Sequence, residues 1–226
     1  MSFFKFPRTP HLFVLPGLNI RDDKQLSDVE ANEFYLHEVV VEEKIDGANI
    51  GISLDEEGNF RIQNRGAYID SSSHPQFAKL TEWMYLRMLS LKDVLIGPRI
   101  IFGEWCYAKH SIYYETLPDY FLGFDVYDLT HRYFLPTHER NYLFKQCNIH
   151  PVPLIGEKRF KKAELITILN TTKSAFSTAS IEGLYVRLEN KTRLIKRAKI
   201  VKEDFVQEID GHWSKGKLIK NLVVSL

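Results

Sequence analysis

The sequence predicts an α+β domain in which antiparallel sheets are flanked by helices. Three observations lead there. Apolar strand-like runs come as hairpin pairs, and helical periodicity falls between those pairs rather than after every strand. The chain also has neither Gly-x-Gly-x-x-Gly nor a Walker-type loop, the devices that accompany doubly wound parallel sheets. At 226 residues it is long enough to bury a sizeable core, and a single domain over 1–226 is expected.

Each element follows from local pattern. Residues 36–46 and 48–54 alternate or run apolar and read as two strands. Asp55-Glu56-Glu57-Gly58-Asn59 reads as a hairpin turn into a third strand over 60–64. From 76 to 91, Phe77, Leu80, Met84, residues 86–89 and Leu91 recur at helical spacing, after the start signal His74-Pro75. Residues 99–105 and 120–127 are buried-type strands. Helices are expected over 137–147 and 161–169, the first with Thr137 as its cap and with Arg140 and Lys145 facing water. A second hairpin joins 183–188 to 193–201 across Glu189-Asn190-Lys191-Thr192, and a last helix is expected over 203–209.

Composition removes whole classes of function. Hydrophobic residues make up 44% and aromatics 13%, which excludes a disordered chain. Residues 1–16 mix aromatics, prolines and charges, so they form neither a signal peptide nor a membrane anchor, and no apolar run is long enough to span a bilayer. Cys106 and Cys147 are too few for a disulfide framework or zinc site; reduced thiols in a cytoplasmic protein are expected. Net charge is only +1, unlike a general nucleic-acid coating protein, yet Lys191, Arg193, Lys196, Arg197, Lys199 and Lys202 crowd into one stretch. Such a run is either a solvated strand face or a phosphate-binding wall.

Lys44, in Val-Glu-Glu-Lys-Ile-Asp-Gly-Ala-Asn (41–49), sets an amine near a carboxylate at the end of an apolar stretch. A lysine amine is normally protonated; desolvation or neighbouring cations lower its pKa and let it attack phosphorus or a carbonyl. Four further segments set polar groups at strand ends: Gln63-Asn64-Arg65-Gly66, then 100–105 with Glu104, then 120–128, then 181–187 with Glu182, followed by 195–199. Glu104 and Glu182 interrupt buried-type runs and need partners, because a lone buried carboxylate is costly.

Together and in this order, the segments resemble the motifs of the covalent nucleotidyltransferase superfamily of DNA ligases, RNA ligases and mRNA capping enzymes, five of them between 44 and 199. The likeness is strongest to ATP-dependent RNA ligases, since Asn49 stands where DNA ligases and capping enzymes usually carry arginine. Phe6-Pro7-Arg8-Thr9-Pro10-His11-Leu12 and Tyr107-Ala108-Lys109-His110-Ser111-Ile112 also resemble stretches of one RNA ligase branch. The resemblance implies a nucleotidyltransferase (ATP-grasp-like) domain. Only 27 residues follow Lys199 in the 226, too few for the five strands of an OB barrel, so none is expected.

The resemblance further implies an enzyme that uses ATP and Mg²⁺ or Mn²⁺ to join 5′-phosphate and 3′-hydroxyl RNA ends, away from membranes and as a monomer. Lys44 would attack the α-phosphorus of ATP, with Glu43 beside it at the nucleotide and Asp46 orienting the amine or holding metal-bound water. Phe124 would lie on adenine, Arg65 and Glu104 would hold the ribose hydroxyls, and Glu182 would bind the metal. Asn49 would contact the nucleotide or the 5′-phosphate. Arg197 and Lys199 share a strand face and would meet the α-phosphate while lowering the pKa of Lys44; Lys196 is the rival to Arg197. Substrate grip would come from Arg8, His11, Lys109, His110 and the basic hairpin. The competing readings are a GTP-dependent capping enzyme and a non-catalytic nucleic-acid end-binding module.

Overall fold

Two antiparallel sheets carry the fold, and both grow from the apolar runs of the sequence. The structure, a computed structural model, describes residues 3–16, 24–202 and 218–224. Helix α1 (Asp28–Leu36) opens with a capping box, in which the Ser27 hydroxyl accepts from the Glu30 amide and the Glu30 carboxylate accepts from the Ser27 amide. Strands β1 (Val39–Lys44), β2 (Ala48–Leu54) and β3 (Phe60–Gln63) follow. A 3₁₀ turn at Pro75–Phe77 leads into α2 (Leu80–Leu95), then β4 (Arg99–Trp105), β5 (Phe121–Asp128) and β6 (Tyr133–Phe134). The order continues with α3 (Thr137–Gln146), β7 (His150–Pro151), β8 (Leu154–Lys158), α4 (Lys162–Thr171), β9 (Gly183–Glu189) and β10 (Leu194–Val201).

One sheet runs β10-β9-β1-β8 and the other β3-β2-β4-β5-β6, with β7 added in parallel to β5. Residues 45–47 are all that separate β1 from β2, so the chain steps from one sheet to the other immediately after Lys44. Helices α1 and α4 cover the four-stranded sheet through Phe34, Leu165 and Leu169 against Val39, Val41, Val186 and Ile200. Helices α2 and α3 cover the other through Leu80, Trp83, Leu91 and Phe144 against Ile50, Ile52 and Trp105. A third cluster fills the opposite side of β4 and β5 with Phe6, Ile45, Phe102, Leu122, Phe124, Phe134 and Leu194.

Two buried arginines tie the sheets together. Arg140 of α3 pairs with Glu42 of β1 at 2.6 Å and donates to the Phe124 carbonyl at 2.6 Å. Arg187 of β9 pairs with Asp125 of β5 and donates to the Leu135 carbonyl at 3.0 Å. Arg140 was expected in water; it is fully buried, because its helix face meets Glu42 on β1, an interior strand whose first five residues are all buried. Thr137 is not the cap either: Pro136 takes that position, and the Thr137 amide and hydroxyl donate to Glu189 at 2.8 and 3.0 Å.

Helix α2 corrects the apolar stretch 86–89. Its buried stripe is Leu80, Trp83, Met84, Leu91, Val94 and Leu95, with Arg87 at the intervening stripe position holding Asp119, while Leu86 and Leu89 lie off it and are exposed. Helix α1 and strand β8 had no sequence counterpart: α1 buries only Ala31 and Phe34, and β8 is a short, largely exposed edge. The helix expected over 203–209 lies outside the described residues. Among those described, no helix is long and apolar enough to cross a membrane, and both cysteines are free and buried.

Candidate active site

The seam between the sheets positions the site. Register sets Lys44 opposite Gly183 on β9, which brings in the next residue back, Glu182; the Lys44 amine lies 2.6 Å from both Glu182 oxygens. On β2, Asn49 stands opposite Glu104 of β4, and on β10 Lys199 stands opposite Tyr185 of β9. These pairings converge on a cleft of about 600 Å³ lined by Phe6, Arg8, Glu43, Lys44, Asn49, Arg65, Glu104, Phe124, Tyr185 and Lys199. A neighbouring hollow shares Lys44, Asn49, Arg65 and Glu104 and adds Asp46, Gln76 and His110.

Asp46 is held by the loop after β4: its carboxylate accepts from the Ser111 and Ile112 amides at 2.6 and 3.0 Å, and its own amide donates to the Tyr114 hydroxyl at 2.9 Å. That loop is clasped in turn by Asn221, which accepts from the Tyr114 amide and donates to the Cys106 and Ala108 carbonyls at 2.9, 2.8 and 3.2 Å. A methyl at Gly47 would meet the Trp105 carbonyl and Cys106 sulfur at 3.0 Å, so close approach of the chain accounts for the glycine there. Glu43 is buried and accepts from the Ala175 amide at 3.0 Å.

The electrostatics are those of an amine among acids. Burial lowers the pKa of Lys44, but Glu182, Glu104 and Asp46 outweigh it and hold the amine above its ordinary value. Burial pushes the Glu104 carboxyl up to about 8, against Lys44 and Arg65, and its Oε2 is buried with no partner among the described residues.

Most sequence-predicted residues meet here, but two cations do not. Arg197 shares a strand face with Lys199 as expected, yet its guanidinium donates to Asp125 at 2.7 Å and lies 3.7 Å from the Phe134 ring centroid, outside the lining of the Lys44 cleft. Lys196 points to the helix side and pairs with Glu33 of α1 at 2.6 Å. The expectation that Arg197 lowers the pKa of Lys44 therefore gives way to the opposite balance, set by the surrounding carboxylates. His11 is buried beside Lys199, Arg8 lines the cleft, and His110 contacts the Gln76 side chain at 3.1 Å. Sequence reasoning missed Tyr185, whose signal was available: it lies two residues after Gly183, the partner of Lys44, and so on the same strand face.

A model of the RNA ligase family, described as "RNA ligase", matches residues 37–201. The chain belongs to the RNA ligase family. Compared by sequence with curated proteins, it has no match. Among solved structures, this RNA ligase family chain is similar to variants of the Naegleria gruberi RNA ligase solved with ATP and manganese (TM-score 0.66, 16% identity, covering 92% of this chain and 58% of that one) and with AMP and manganese (0.61, 16%, 92% and 64%). It is also similar to the same ligase solved with pyrophosphate (0.62, 16%, 93% and 65%). At that identity the likeness establishes the fold, the one the sequence implied, and the chain spans less than two thirds of the length of each solved ligase.

Donor chemistry says which groups the cleft could take. Among the described residues no three His, Cys, Asp or Glu side chains cluster as a ready-made metal cage. Magnesium seldom requires one; it is commonly held by one or two carboxylates plus substrate phosphates, and Glu182 fits that pattern. The unpartnered Glu104 oxygen fits a hydroxyl donor such as a ribose.

Proposed function

We propose that the chain is an ATP-dependent RNA ligase that seals 5′-phosphate and 3′-hydroxyl RNA ends. The observation that carries this reading is the Lys44 amine, held by Glu182 inside a cleft whose wall ends in the unpartnered Glu104 oxygen. In this reading Phe124 lies on the base with Tyr185 beside it, Glu104 and Arg65 take the ribose hydroxyls, and Glu43, Asn49 and Lys199 border the nucleotide. Lys44 attacks the α-phosphorus: an N–P bond forms, the P–O bond to pyrophosphate breaks, and the amine gives up a proton. The nucleophile must first be neutral: burial favours that form, and Glu182, the strongest of the opposing acids, must turn away for it to be reached. Glu182 would hold a divalent cation, which would supply charge neutralisation at the phosphates. Asp46, fixed by two loop amides, would orient the amine. Transfer of AMP to a 5′-phosphate and its displacement by a 3′-hydroxyl are two further in-line displacements at the same place. Arg197 reaches phosphate only by leaving Asp125, and Lys196 only by leaving Glu33. Two buried free thiols support a reducing, cytoplasmic setting, and we assign a monomer as the working unit.

Incubation with ATP and Mg²⁺ followed by intact mass measurement tests the reading. The parent protein is expected to gain one AMP and Lys44→Ala none. An adduct on Lys44→Ala, no adduct on the parent, or labelling by GTP alone would each defeat it.

A further inference from the structure

We infer that a second groove, across the N-terminal segment from Lys44, binds a single-stranded stretch of RNA. The basic run near the end of the chain splits between two places. Lys199 enters the catalytic cleft, whereas Arg193 faces a separate hollow of about 1040 Å³, between residues 4–7, the β5–β6 turn and the start of β10. Phe6 lines the cleft, while its neighbours Lys5 and Pro7 line this groove, so the two spaces lie back to back.

The lining contains five cations and no acid. Lys196 and Arg197 are engaged by Glu33 and Asp125. Lys5, Arg132 and Arg193 are exposed and enter no ion pair among the described residues, so their charge is available to a ligand. Between them the floor is aromatic: Phe4 stacks on Tyr127 with centroids 3.9 Å apart, and Tyr133 lies over His131 at 5.6 Å. Arg132 is the last residue of the β5–β6 turn and closes it with a left-handed φ of 60°, its amide donating to the Asp128 carbonyl at 2.8 Å. Unpaired cations flanking aromatic rings form the chemistry that tracks a phosphate backbone and stacks unpaired bases; a duplex offers the phosphates but hides its base faces. An acidic peptide would be served by the cations but has no use for the rings. The choice of RNA rests on the ligase reading; the groove itself does not.

Anisotropy titration of a fluorescein-labelled single-stranded RNA across a salt series tests it, using the full chain. Combining Lys5→Ala, Arg132→Ala and Arg193→Ala is expected to weaken binding tenfold or more near 0.1 M salt. It should also make the log–log salt slope shallower by about 2, since each lost phosphate contact on a single strand accounts for about 0.7. Tyr133→Leu, which keeps apolar bulk but no flat ring, is expected to weaken binding about tenfold with the slope unchanged. AMP uptake by Lys44 without RNA should match the parent in both variants, which also verifies folding. Unchanged affinity and slope in the triple variant would overturn the groove. A fully paired RNA binding as tightly as the single strand, with Tyr133→Leu silent, would overturn the single-strand assignment, as would displacement by polyglutamate at equal charge concentration. A parent that binds RNA through these residues but takes up no AMP would defeat the ligase reading and leave the groove standing.

Discussion

At Lys44 two opposing influences meet: burial disfavours the ammonium, and three carboxylates favour it more strongly. The acids around the amine bear the cost of that arrangement. Glu104 titrates near 8 rather than at its ordinary 4.5, mainly through burial. Between those two values the folded protein keeps a proton that the unfolded chain has released, so stability should fall as pH rises through this window. The loss is on the order of a few kcal/mol. Glu104→Gln imitates the protonated form and should flatten the fall. Urea midpoints at pH 5.5 and 8.5 check this; parallel losses in parent and variant would show that Glu104 is not the group responsible. Arg197 teaches a related lesson, since its place in the sequence suggested a phosphate while Asp125, on β5 of the other sheet, holds it.

Among elements, the arginine clamps matter most. Arg140→Ala would leave Glu42 as an unpaired buried charge beneath β1, and unfolding free energy should drop by about 3–5 kcal/mol in denaturant titration. Replacing both with apolar residues of similar volume should cost much less; an equal cost would mean the pair itself, not its imbalance, is what matters. Gly183→Ala would overlap the Ile200 carbonyl across the β9–β10 ladder and push the strands apart next to Glu182, lowering stability and AMP uptake together. The hairpin strands were legible in sequence because apolar alternation and turn residues are local signals. The clustering of Lys44, Asn49, Glu104 and Glu182 was legible only through motif order, for Lys44 and Glu182 are 138 residues apart. Burial of Arg140 had no local signal at all, because it is decided by a glutamate 98 residues earlier. Helix α1 escaped for the converse reason: too few of its residues are buried to give an apolar period.

For the whole molecule, the cleft spans both sheets, so a nucleotide there should brace one against the other. ATP at about a hundred times its Kd would add about 2.7 kcal/mol. That corresponds to a rise in Tm of about 5–10 °C for a chain of this size. Differential scanning fluorimetry should show the rise with ATP and not with GTP; equal shifts would remove base selectivity from the cleft. The Asn221 clasp has a practical bearing on all such measurements. Through Tyr114 and the loop at 106–112 it is wired to Asp46, while Phe6, Arg8 and Thr9 of the N-terminal segment line the cleft. Fusion tags and proteolytic trimming next to either segment therefore act on the surroundings of Lys44. A silent tagged preparation would be a report on the tag, and an untagged control belongs in every assay of this ligase fold.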